Sequence, residues 1–574
     1  MNGDRLEWAA GSGRVLTIGG TGRSRRVRPR VARLRWLLAL VLGVVAVSCG
    51  GDGSDDDAAP AIDDTAAASA ATAETSSTSS DSAAAPPTTL DAGPVDRSAT
   101  LRYGYAINVS RLDPHRATIR NDITTLAPAY DTLIQLSPTG ELVGMLATDW
   151  TFNDDATVLD LTLREGVVFH DGQPFDAAAV KANIERGQTL EGSTVSTDLG
   201  AIREVEVVDE QHVRLHLTEP NVSIAGLLSD RPGMMISPAA FEQDLDAVAV
   251  GAGPFRLVEN RPGDVTIYER FADYWDPDAA SVQRLELYVQ PDAATRLNGL
   301  RTGQLDATSL EPSQYEEAQR IDGITVETAP TMFFIHFSFN RARSELGNVD
   351  ARRAIYHAID REAICEAVLL GLCEVSVQPF PDGYFAAHPD LPSDFYAYDP
   401  ERSRELLAEA GLPDGFAFSL MIPTGLTSYI QIAEAMQAQL AEVGIDMALE
   451  PMDPAEMADR MYGRKEADAI LGGLTGSADP SLYFAQRIIA SAYANPGQHS
   501  TPRIEELYQQ SIATADPEAR QDVLHEAVHE VVDQVLNINV MFPHTVAAYR
   551  DGVVGHVIPL SGNPSFRNLG IAAE

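Results

Sequence analysis

A histidine pair near the carboxyl end is the clearest candidate for chemistry in this sequence. His525-Glu526-Ala527-Val528-His529 matches H-E-x-x-H, which on a helix places two histidines on one face to bind zinc beside a glutamate base. The apolar stripe of this stretch consists of Leu524, Val528, Val531 and Val535, and the two histidines flank it. No third ligand follows at a helical spacing, so a zinc metallohydrolase is kept only as an alternative function.

The cysteines offer a second kind of chemistry. The sequence has no G-x-S-x-G motif, and neither Cys365 nor Cys373 has an evident activating partner, so nothing indicates a nucleophilic hydrolase. A lone cysteine pair without a nearby histidine is also a poor zinc site, which leaves metal binding as the minor alternative. If the chain is exported to an oxidising compartment, we expect a disulfide between Cys365 and Cys373.

The first 48 residues have the features of an export signal. Nine arginines and only two acidic residues occur there, and the apolar stretch 36–47 is too short for a membrane span, which needs about 20 residues. The stretch ends in Ala46-Val47-Ser48-Cys49, which resembles the lipobox of bacterial lipoproteins and implies that Cys49 is lipidated. The alternative is an ordinary cleavage site with an incidental cysteine. General secretion and twin-arginine export both stay open.

A polar segment follows Cys49. Residues 50–98 consist almost entirely of Gly, Asp, Ala, Ser, Thr and Pro and contain hardly any large apolar side chains. Such a segment cannot offset the entropy lost on ordering, so we expect a disordered stalk between the membrane and a folded body.

The composition of the whole chain limits its partners. The formal net charge is -41 over 574 residues, which excludes a nucleic-acid binder that works by neutralising phosphates. The same acidity argues against docking on anionic lipid, so we expect membrane contact only through the lipid anchor. With 44% hydrophobic and 22% charged residues, the bulk of the chain is globular.

Strands and helices interleave from about residue 100 to the end, which indicates an α/β architecture. The patterns predict strands at 101–106, 158–163, 204–208, 212–217, 266–269, 285–289, 332–339 and 417–422. They predict helices at 176–186, 293–302, 349–370, 400–410, 428–443, 454–462 and 517–535. Asp399-Pro400 and Asp516-Pro517 each combine an N-cap residue with proline at the first helical position.

A series of motifs in this body resembles one family, the peptide/nickel class (family 5) of extracellular solute-binding proteins that serve ATP-binding-cassette (ABC) importers. In chain order, the motifs are Leu112–His115, Leu146–Trp150, Leu161–Phe175, Ala178–Lys181, Gly251–Phe255, Tyr274–Pro277, Leu300–Asp306, Arg352–Ile355, Ala358–Arg361, Tyr398–Glu401 and Leu406–Gly411. Most of these positions are expected to build the scaffold. His170-Asp171-Gly172 is a turn signal, and the glycines of Gly251–Phe255 indicate a close approach of the backbone to ligand or to another strand.

The resemblance implies a two-lobed periplasmic-binding-protein-like fold of the large peptide-binding type (class II), with an extra subdomain in lobe one. The expected organisation is a signal peptide at 1–48, a lipidated cysteine and stalk at 49–98, lobe one at 99–338, lobe two at 339–537, and a return to lobe one at 538–574. The chain would cross between lobes near 337–340 and 537–542, two apolar stretches whose pairing makes a natural hinge. Ligand would be enclosed by closure about that hinge.

The resemblance also implies a function without catalysis or cofactor. We expect a monomeric, exported, lipid-anchored binding protein on the outer face of the cytoplasmic membrane that passes a small solute to ABC importer permease subunits. The default ligand is a peptide, while nickel complexes, sugars and opines stay open for this family. Supply of a ligand to a sensor in place of a permease is a second non-enzymatic alternative.

Five residues are expected to contact the ligand. The resembled family uses its N-terminal segment for one wall of the cleft, which points to Asn108 and Tyr130. Peptide-binding members pair the peptide's amino terminus with an aspartate in the segment that matches 474–483. Here Ser477 lies near the expected place of that acid, Asp479 either compensates or caps the next helix, and Tyr483 supplies aromatic surface.

Overall fold

Strands and helices alternate along the part of the chain that the structure describes. The structure is a computed structural model, and it describes residues 94–118, 122–343 and 345–573. The export signal, Cys49 and most of the predicted stalk lie outside these residues. All of the described residues belong to one compact unit.

The strands are numbered in chain order. They are β1 Thr100–Tyr105, β2 Ile134–Leu136, β3 Leu142–Gly144, β4 Ala147–Phe152, β5 Val158–Leu163, β6 Ile202–Val207, β7 His212–Leu217, β8 Phe255–Arg261, β9 Val265–Arg270, β10 Arg284–Val289, β11 Ala307–Leu310, β12 Ile324–Ala329, β13 Phe333–Phe339, β14 Cys373–Glu374, β15 Phe416–Pro423, β16 Ile445–Met452, β17 Ala469–Thr475, β18 Ile538–Pro543, β19 Thr545–Arg550, β20 Val553–Val554 and β21 Gly570–Ile571.

The α-helices are numbered in the same way. They are α1 Ile123–Leu126, α2 Ala177–Thr189, α3 Ser196–Leu199, α4 Ile224–Leu227, α5 Ala293–Thr302, α6 Tyr315–Gln319, α7 Val349–His357, α8 Arg361–Leu369, α9 Pro400–Glu409, α10 Thr427–Glu442, α11 Pro454–Ala458, α12 Ser481–Arg487, α13 Pro502–Ala513 and α14 Pro517–Asp533. Short 3-10 turns occur at Arg231–Gly233, Pro238–Ala240 and Pro312–Gln314, and a π-helical turn, Asp459–Gly463, follows α11.

Two large mixed sheets are the centres of two lobes. The sheet of lobe one has seven strands in the order β12-β19-β11-β1-β10-β9-β8, and that of lobe two has six in the order β14-β18-β13-β17-β15-β16. A four-stranded antiparallel sheet, β4-β5-β7-β6, has its own apolar core with α2 and forms the subdomain of lobe one. The architecture is the predicted two-lobed α/β fold.

Paired strands run through the region where the chain passes between the large sheets. β13 and β18 pair antiparallel, with His336 opposite Asn539, as the sequence predicts for the two apolar stretches. β12 and β19 pair in the other sheet and end with Ala329 opposite Thr545. The connecting segments are therefore 330–332 and His544. β13 and β18 both belong to the sheet of lobe two, so the boundaries expected after residues 338 and 537 are displaced: the chain enters lobe two before β13 and leaves it after β18.

Most predicted elements match the structure within two residues, and the exceptions are informative. The helix predicted over 349–370 is two helices, α7 and α8, because Asp360 starts a new helix by accepting a hydrogen bond from the backbone N–H of Ala363. The helix predicted over 454–462 ends as a π-helical turn. Asp399 and Asp516 are confirmed as N-caps, each followed by proline at the first helical position.

Three smaller features complete the frame. Residues 94–98, which the sequence pattern assigns to the stalk, are attached to the body: the N–H of Asp96 donates to the carbonyl of Ile571 at 2.8 Å. The sulfurs of Cys365 and Cys373 are bonded, with their Cα atoms 6.1 Å apart. Within 94–118, 122–343 and 345–573, no helix has the length and apolar character needed to cross a membrane.

Candidate functional site

The H-E-x-x-H motif lies on α14, but its glutamate is engaged elsewhere. Glu526 forms an ion pair with Arg503 on α13. Nε2 of His525 lies 3.0 Å from the carbonyl oxygen of Phe385, and the ring of His388 lies 5.5 Å from the ring of His525. In the described part of the chain, no group of three or more His, Cys, Asp or Glu residues is arranged to hold a metal ion. The described residues around the motif therefore do not form the three-ligand arrangement of a zinc site.

The turn His170-Asp171-Gly172 has a structural role. Nε2 of His170 lies 3.0 Å from the carbonyl oxygen of Gly253, and Asp171 accepts a 2.6 Å hydrogen bond from the hydroxyl of Ser237. A Cβ atom at Gly251 would stand 2.1 Å from the carbonyl oxygen of Ala129. The close approach predicted for these glycines is thus confirmed, and the backbone at Ala129, on another segment, is what they approach.

A cavity of about 160 Å³ lies beside the contact between the two lobes, and it is called the main cavity for that position. Lobe one supplies most of its wall, with apolar side chains from the segment around α1 and polar ones from the chain's last turns. Lobe two contributes Ala478, which follows β17. The residues that line the cavity include Ile123, Tyr130, Asp131, Thr132, Ser561 and Arg567. Such a mixture of apolar surface and a few placed polar groups is typical of small-molecule sites.

A buried ion pair forms the polar end of this cavity. Nη2 of Arg567 lies 2.8 Å from the carboxylate of Asp131, whose side chain is only 1% exposed. The hydroxyl of Tyr274 and Nε1 of Trp275 also donate to that carboxylate, at 2.7 and 3.0 Å. Burial raises the pKa of Tyr274 well above its usual value of 10. These bonds satisfy the oxygens of Asp131, which makes the cluster a rigid wall for the cavity.

The sequence did not single out Asp131 or Arg567. Tyr274 and Trp275 belong to a recognised motif, but their partners are remote: Tyr274 and Asp131 are 143 positions apart, and Arg567 and Tyr274 are 293 apart. A spacing pattern along the chain therefore contained no signal for this cluster, since only the fold brings the four side chains together.

Ser477, Asp479 and Tyr483 line one small pocket, which the structure therefore assembles from three of the five predicted residues. The pocket measures about 10 Å³, and its other walls include Phe334, Phe380 and Arg487. The intervening residue, Ala478, lines the main cavity. The loop after β17 thus separates the two spaces, with Gly476, Ser477 and Asp479 on the small pocket and Ala478 on the main cavity.

Asp479 already has a counter-ion. Its two carboxylate oxygens lie 2.7 and 2.8 Å from Nη2 of Arg520 on α14, and its side chain is 2% exposed. One of the same oxygens accepts the backbone N–H of Ser481 at 2.9 Å, at the start of α12. Asp479 thus bonds the first residue of α12 without being its N-cap, which is Pro480, and its charge is neutralised within the protein.

Tyr130 and Asn108 lie apart from that pocket. Tyr130 is 2% exposed and lines the main cavity, while burial raises the pKa of its hydroxyl well above the usual value. Asn108 is exposed, and its side-chain oxygen accepts a 3.0 Å hydrogen bond from the N–H of Gly263. Asn108 therefore has a structural contact in lobe one, and its contact with ligand stays a prediction.

The last turns of the chain form a wall that sequence reasoning missed. Pro559, Asn563 and Pro564 line both the main cavity and a neighbouring cavity of about 140 Å³. The neighbouring cavity is also lined by Tyr103 and Tyr105 of β1, the strand that the sequence predicts in one wall of the ligand cleft. The segment 559–564 lies between the two spaces and turns at 559–562, where the N–H of Gly562 donates to the carbonyl oxygen of Pro559 at 2.8 Å.

The two lobes touch beside the main cavity. The N–H of Val222, in lobe one, donates to the carbonyl oxygen of Ile512, in lobe two, at 2.8 Å. A Cβ atom at Gly226 would lie 2.7 Å from Cβ of Asp479. This separation is shorter than ordinary side-chain contacts, so only glycine permits the approach of α4 to the Ala478–Asp479 segment. The two lobes are therefore in direct contact at this edge of the cavity.

Comparisons with known proteins place this geometry in context. The model of the family described as bacterial extracellular solute-binding proteins, family 5 (middle), matches residues 141–538. The glutathione-binding protein GsiB of Escherichia coli K12 is 29% identical over 446 residues, which cover 74% of this chain and 85% of that protein.

Solved structures show the same fold. HbpA2 from Haemophilus parasuis superimposes with a TM-score of 0.74 at 25% identity, over 83% of this chain and all of that one. The periplasmic binding protein DppA from Helicobacter pylori, in complex with the peptide STSA, gives a TM-score of 0.70 at 22% identity, over 84% of this chain and 99% of that one. At 22% identity, the similarity to DppA shows only that the two proteins share a fold.

Proposed function

This chain belongs to family 5 of the bacterial extracellular solute-binding proteins, and from that premise we propose that it captures a peptide between its lobes and delivers it to an ABC import permease. Members of this family bind solutes for ABC importers, and they are not enzymes. The protein is thus an extracytoplasmic binding protein. The peptide ligand, the monomeric state and a lipid anchor at Cys49 are the further parts of the proposal.

The main cavity at the lobe contact is the observation that supports capture most directly. It is closed from one side by Ala478 of lobe two and from the other by Tyr130 and Arg567 of lobe one. The connections between the lobes are short and adjacent, so separation of the lobes would open the cavity without unfolding either sheet. A ligand that touches both walls then stabilises the closed state, which is the state that a permease can distinguish from the open one.

A peptide is the ligand that fits the relatives and the cavity best. GsiB binds glutathione, itself a short peptide, as its name states. The cavity offers apolar surface from Ile123 and Phe566 and polar groups from Thr132 and Ser561. Peptides present the same alternation of apolar side chains and hydrogen-bonding backbone groups.

The test is mass spectrometry of ligand released from denatured, freshly purified protein. We expect one or a few short peptides at near-stoichiometric amounts, identified by their fragment masses. The control is the same protein after unfolding, dialysis and refolding, which should release no peptide. A sugar, an opine or a metal complex in place of a peptide would reject the peptide ligand while leaving the family assignment intact.

The lipid anchor has its own test. Cys49→Ser should move the protein from the membrane fraction to the soluble fraction, because the proposed acyl chains are attached to that sulfur. The matched control is the double variant Cys365→Ser/Cys373→Ser, which changes thiols elsewhere and should stay with the membrane. Retention of Cys49→Ser on membranes would refute the anchor.

A further inference from the structure

One residue of lobe two lies inside an apolar core of lobe one. Leu372 belongs to the segment between α8 and β14, and its side chain is 8% exposed. It packs in a cluster with Leu300 of α5, Leu310 of β11 and Val546 of β19. Every other described residue of this cluster belongs to lobe one. The side chain of Leu372 therefore crosses the boundary between the lobes at a place where the backbone does not.

The backbone of Leu372 also holds one of the two connections between the lobes. Its carbonyl oxygen accepts a 2.9 Å hydrogen bond from the N–H of His544, the residue that joins β18 to β19. The next residue, Cys373, lies opposite Pro543 in the pairing of β14 with β18. Leu372 is thus bound to the connecting residue by its backbone and to lobe one by its side chain.

The turn that brings Leu372 to this position needs a constraint. Leu370 and Gly371 have φ angles of 59° and 73°, in the left-handed region, which is unfavourable for leucine. The side chain of Leu370 is exposed, so packing does not compensate for this conformation. The disulfide joins Cys365 of α8 to Cys373 of β14, one on each side of the turn. It therefore opposes relaxation of the turn.

The alternative is a disulfide that stabilises lobe two alone. A cross-link raises stability chiefly by restricting the unfolded chain, and that effect requires no contact with another lobe. Both α8 and β14 pack within lobe two, so a short bridge between them would be complete without Leu372. This alternative gives no role to the burial of Leu372 in lobe one or to its bond with His544.

We propose that the segment 370–373 is a brace, which the disulfide holds across the connection at His544 and which favours the state in which the lobes touch. Leu372 is fixed to lobe two, so rotation about 330–332 and His544 displaces its side chain within the cluster of lobe one. The displacement is small beside the connection, but in a packed core a gap of roughly 0.5–1 Å already forfeits a quarter to a half of the dispersion energy of a contact. The brace goes beyond the proposed function, because it acts whatever ligand binds.

Amide hydrogen exchange of the ligand-free protein tests the brace. The N–H of Val222 in lobe one donates to the carbonyl oxygen of Ile512 in lobe two at 2.8 Å, so its exchange rate reports separation of the lobes. Mass spectrometry with fragmentation to single residues measures this rate. In the wild type the Val222 N–H should be protected. Exchange as fast as in an unfolded chain would show that nothing holds the lobes together and would overturn the inference.

The first pair of variants tests the inserted side chain. Leu372→Ala should speed exchange at Val222 roughly tenfold, since a tenfold change corresponds to about 1.4 kcal/mol, less than a buried leucine contributes. The matched control is Leu300→Ala, which weakens the same cluster from within lobe one and should leave exchange at Val222 unchanged. Equal rates at Val222 in the two variants would show that Leu372 only fills the cluster, which contradicts the brace.

The second pair tests the disulfide. Cys365→Ser/Cys373→Ser should speed exchange at Val222 as much as Leu372→Ala does. Adding Leu372→Ala to that double variant should change the rate little further, because both changes remove the same brace. An unchanged rate in the double variant, or effects that multiply when combined, would overturn the role of the disulfide. Leu372→Ala retains the bridge, so it tests the brace even where the serine variant fails to fold. None of these measurements uses a ligand, so rejection of the peptide ligand would leave their result intact.

Discussion

Both carboxylate oxygens of Asp479 face the guanidinium of Arg520, at 2.7 and 2.8 Å, in a setting where the two side chains are 2% and 13% exposed. This ion pair joins the loop after β17 to α14. An acid that is already paired in this way offers no charge to a peptide's amino terminus. The loop is therefore held by Asp479, and the pocket beside it is left with Arg487 as its available charge.

Asp479→Asn should destabilise the protein by about 3–5 kcal/mol, because it leaves Arg520 buried without a counter-ion. Chemical denaturation at neutral pH measures the change. The matched control is Glu316→Gln, which breaks an ion pair whose side chains are 62% and 72% exposed and should cost no more than about 0.5 kcal/mol. Equal effects of the two substitutions would contradict the assigned importance of the buried pair.

Ser477→Asp should strengthen binding of peptides with a free amino terminus relative to amino-blocked ones, because it adds an acid to the pocket wall. Since Arg487 lines the same pocket and would partly neutralise the new carboxylate, the gain should be larger in an Arg487→Gln background. Isothermal titration with matched free and acetylated peptides measures it, with Ser477→Asn as the uncharged control. Equal changes for both peptides would show that this loop does not read the amino group.

Gly226→Ala should weaken ligand binding without unfolding the protein. The added methyl group would stand 2.7 Å from Cβ of Asp479, which obstructs the contact between the lobes. In the open state the same methyl group is unobstructed, and alanine favours helix α4 by about 1 kcal/mol over glycine. The thermal shift caused by a bound peptide should therefore shrink while the melting temperature of the free protein is kept. An unchanged shift would mean that ligand binding does not require this contact.

Loss of the disulfide should cost about 2–3 kcal/mol, the loop-closure value for cysteines only eight positions apart. Non-reducing peptide mapping of exported protein should find Cys365 linked to Cys373. Chemical denaturation of Cys365→Ser/Cys373→Ser then measures the loss in unfolding free energy. Reduction of the disulfide in the wild type should lower the unfolding free energy by the same amount. Two free thiols in the exported protein would refute the bridge.

His115 should make the protein less stable in mild acid. It is fully buried, and burial lowers its pKa to about 4. The negative charge of the nearby Asp113 raises the pKa, but by less than burial lowers it. The unfolded chain therefore binds one more proton than the folded one between pH 6.5 and 4. This histidine contributes its stability above pH 6.5 and loses it as the pH falls, by up to about 1.4 kcal/mol per pH unit.

The measurement is the unfolding free energy of the wild type and of His115→Gln at several pH values from 7 to 4.5. The variant should show a shallower slope, because its side chain binds no proton in either state. Gln319→Asn is the control: it exchanges one exposed, non-titrating side chain for another at the end of α6 and should leave the slope as it is in the wild type. Parallel curves for all three proteins would contradict the prediction.

Helix boundaries show how far local patterns extend. Asp399-Pro400 and Asp516-Pro517 mark the true starts of α9 and α14, because a cap and a proline act within one turn. Apolar residues recur at helical spacing over the whole of 349–370, including Ala358–Asp360. This pattern therefore contains no signal that α7 ends before those residues. The break depends on Asp360, whose side chain caps α8.

The sequence by itself determined the family, the two-lobed fold and the scaffold role of the recurring motifs, because these depend on residue order and on local turn and capping chemistry. It also predicts that the loop at 474–483 is one wall of the site, and contact of that loop with ligand stays a prediction. The tertiary structure alone decided which charges are available there. Arg520 lies 41 positions from Asp479, and Arg567 lies 436 positions from Asp131. Whether a charge is paired depends on distances in space, which a one-dimensional pattern does not contain.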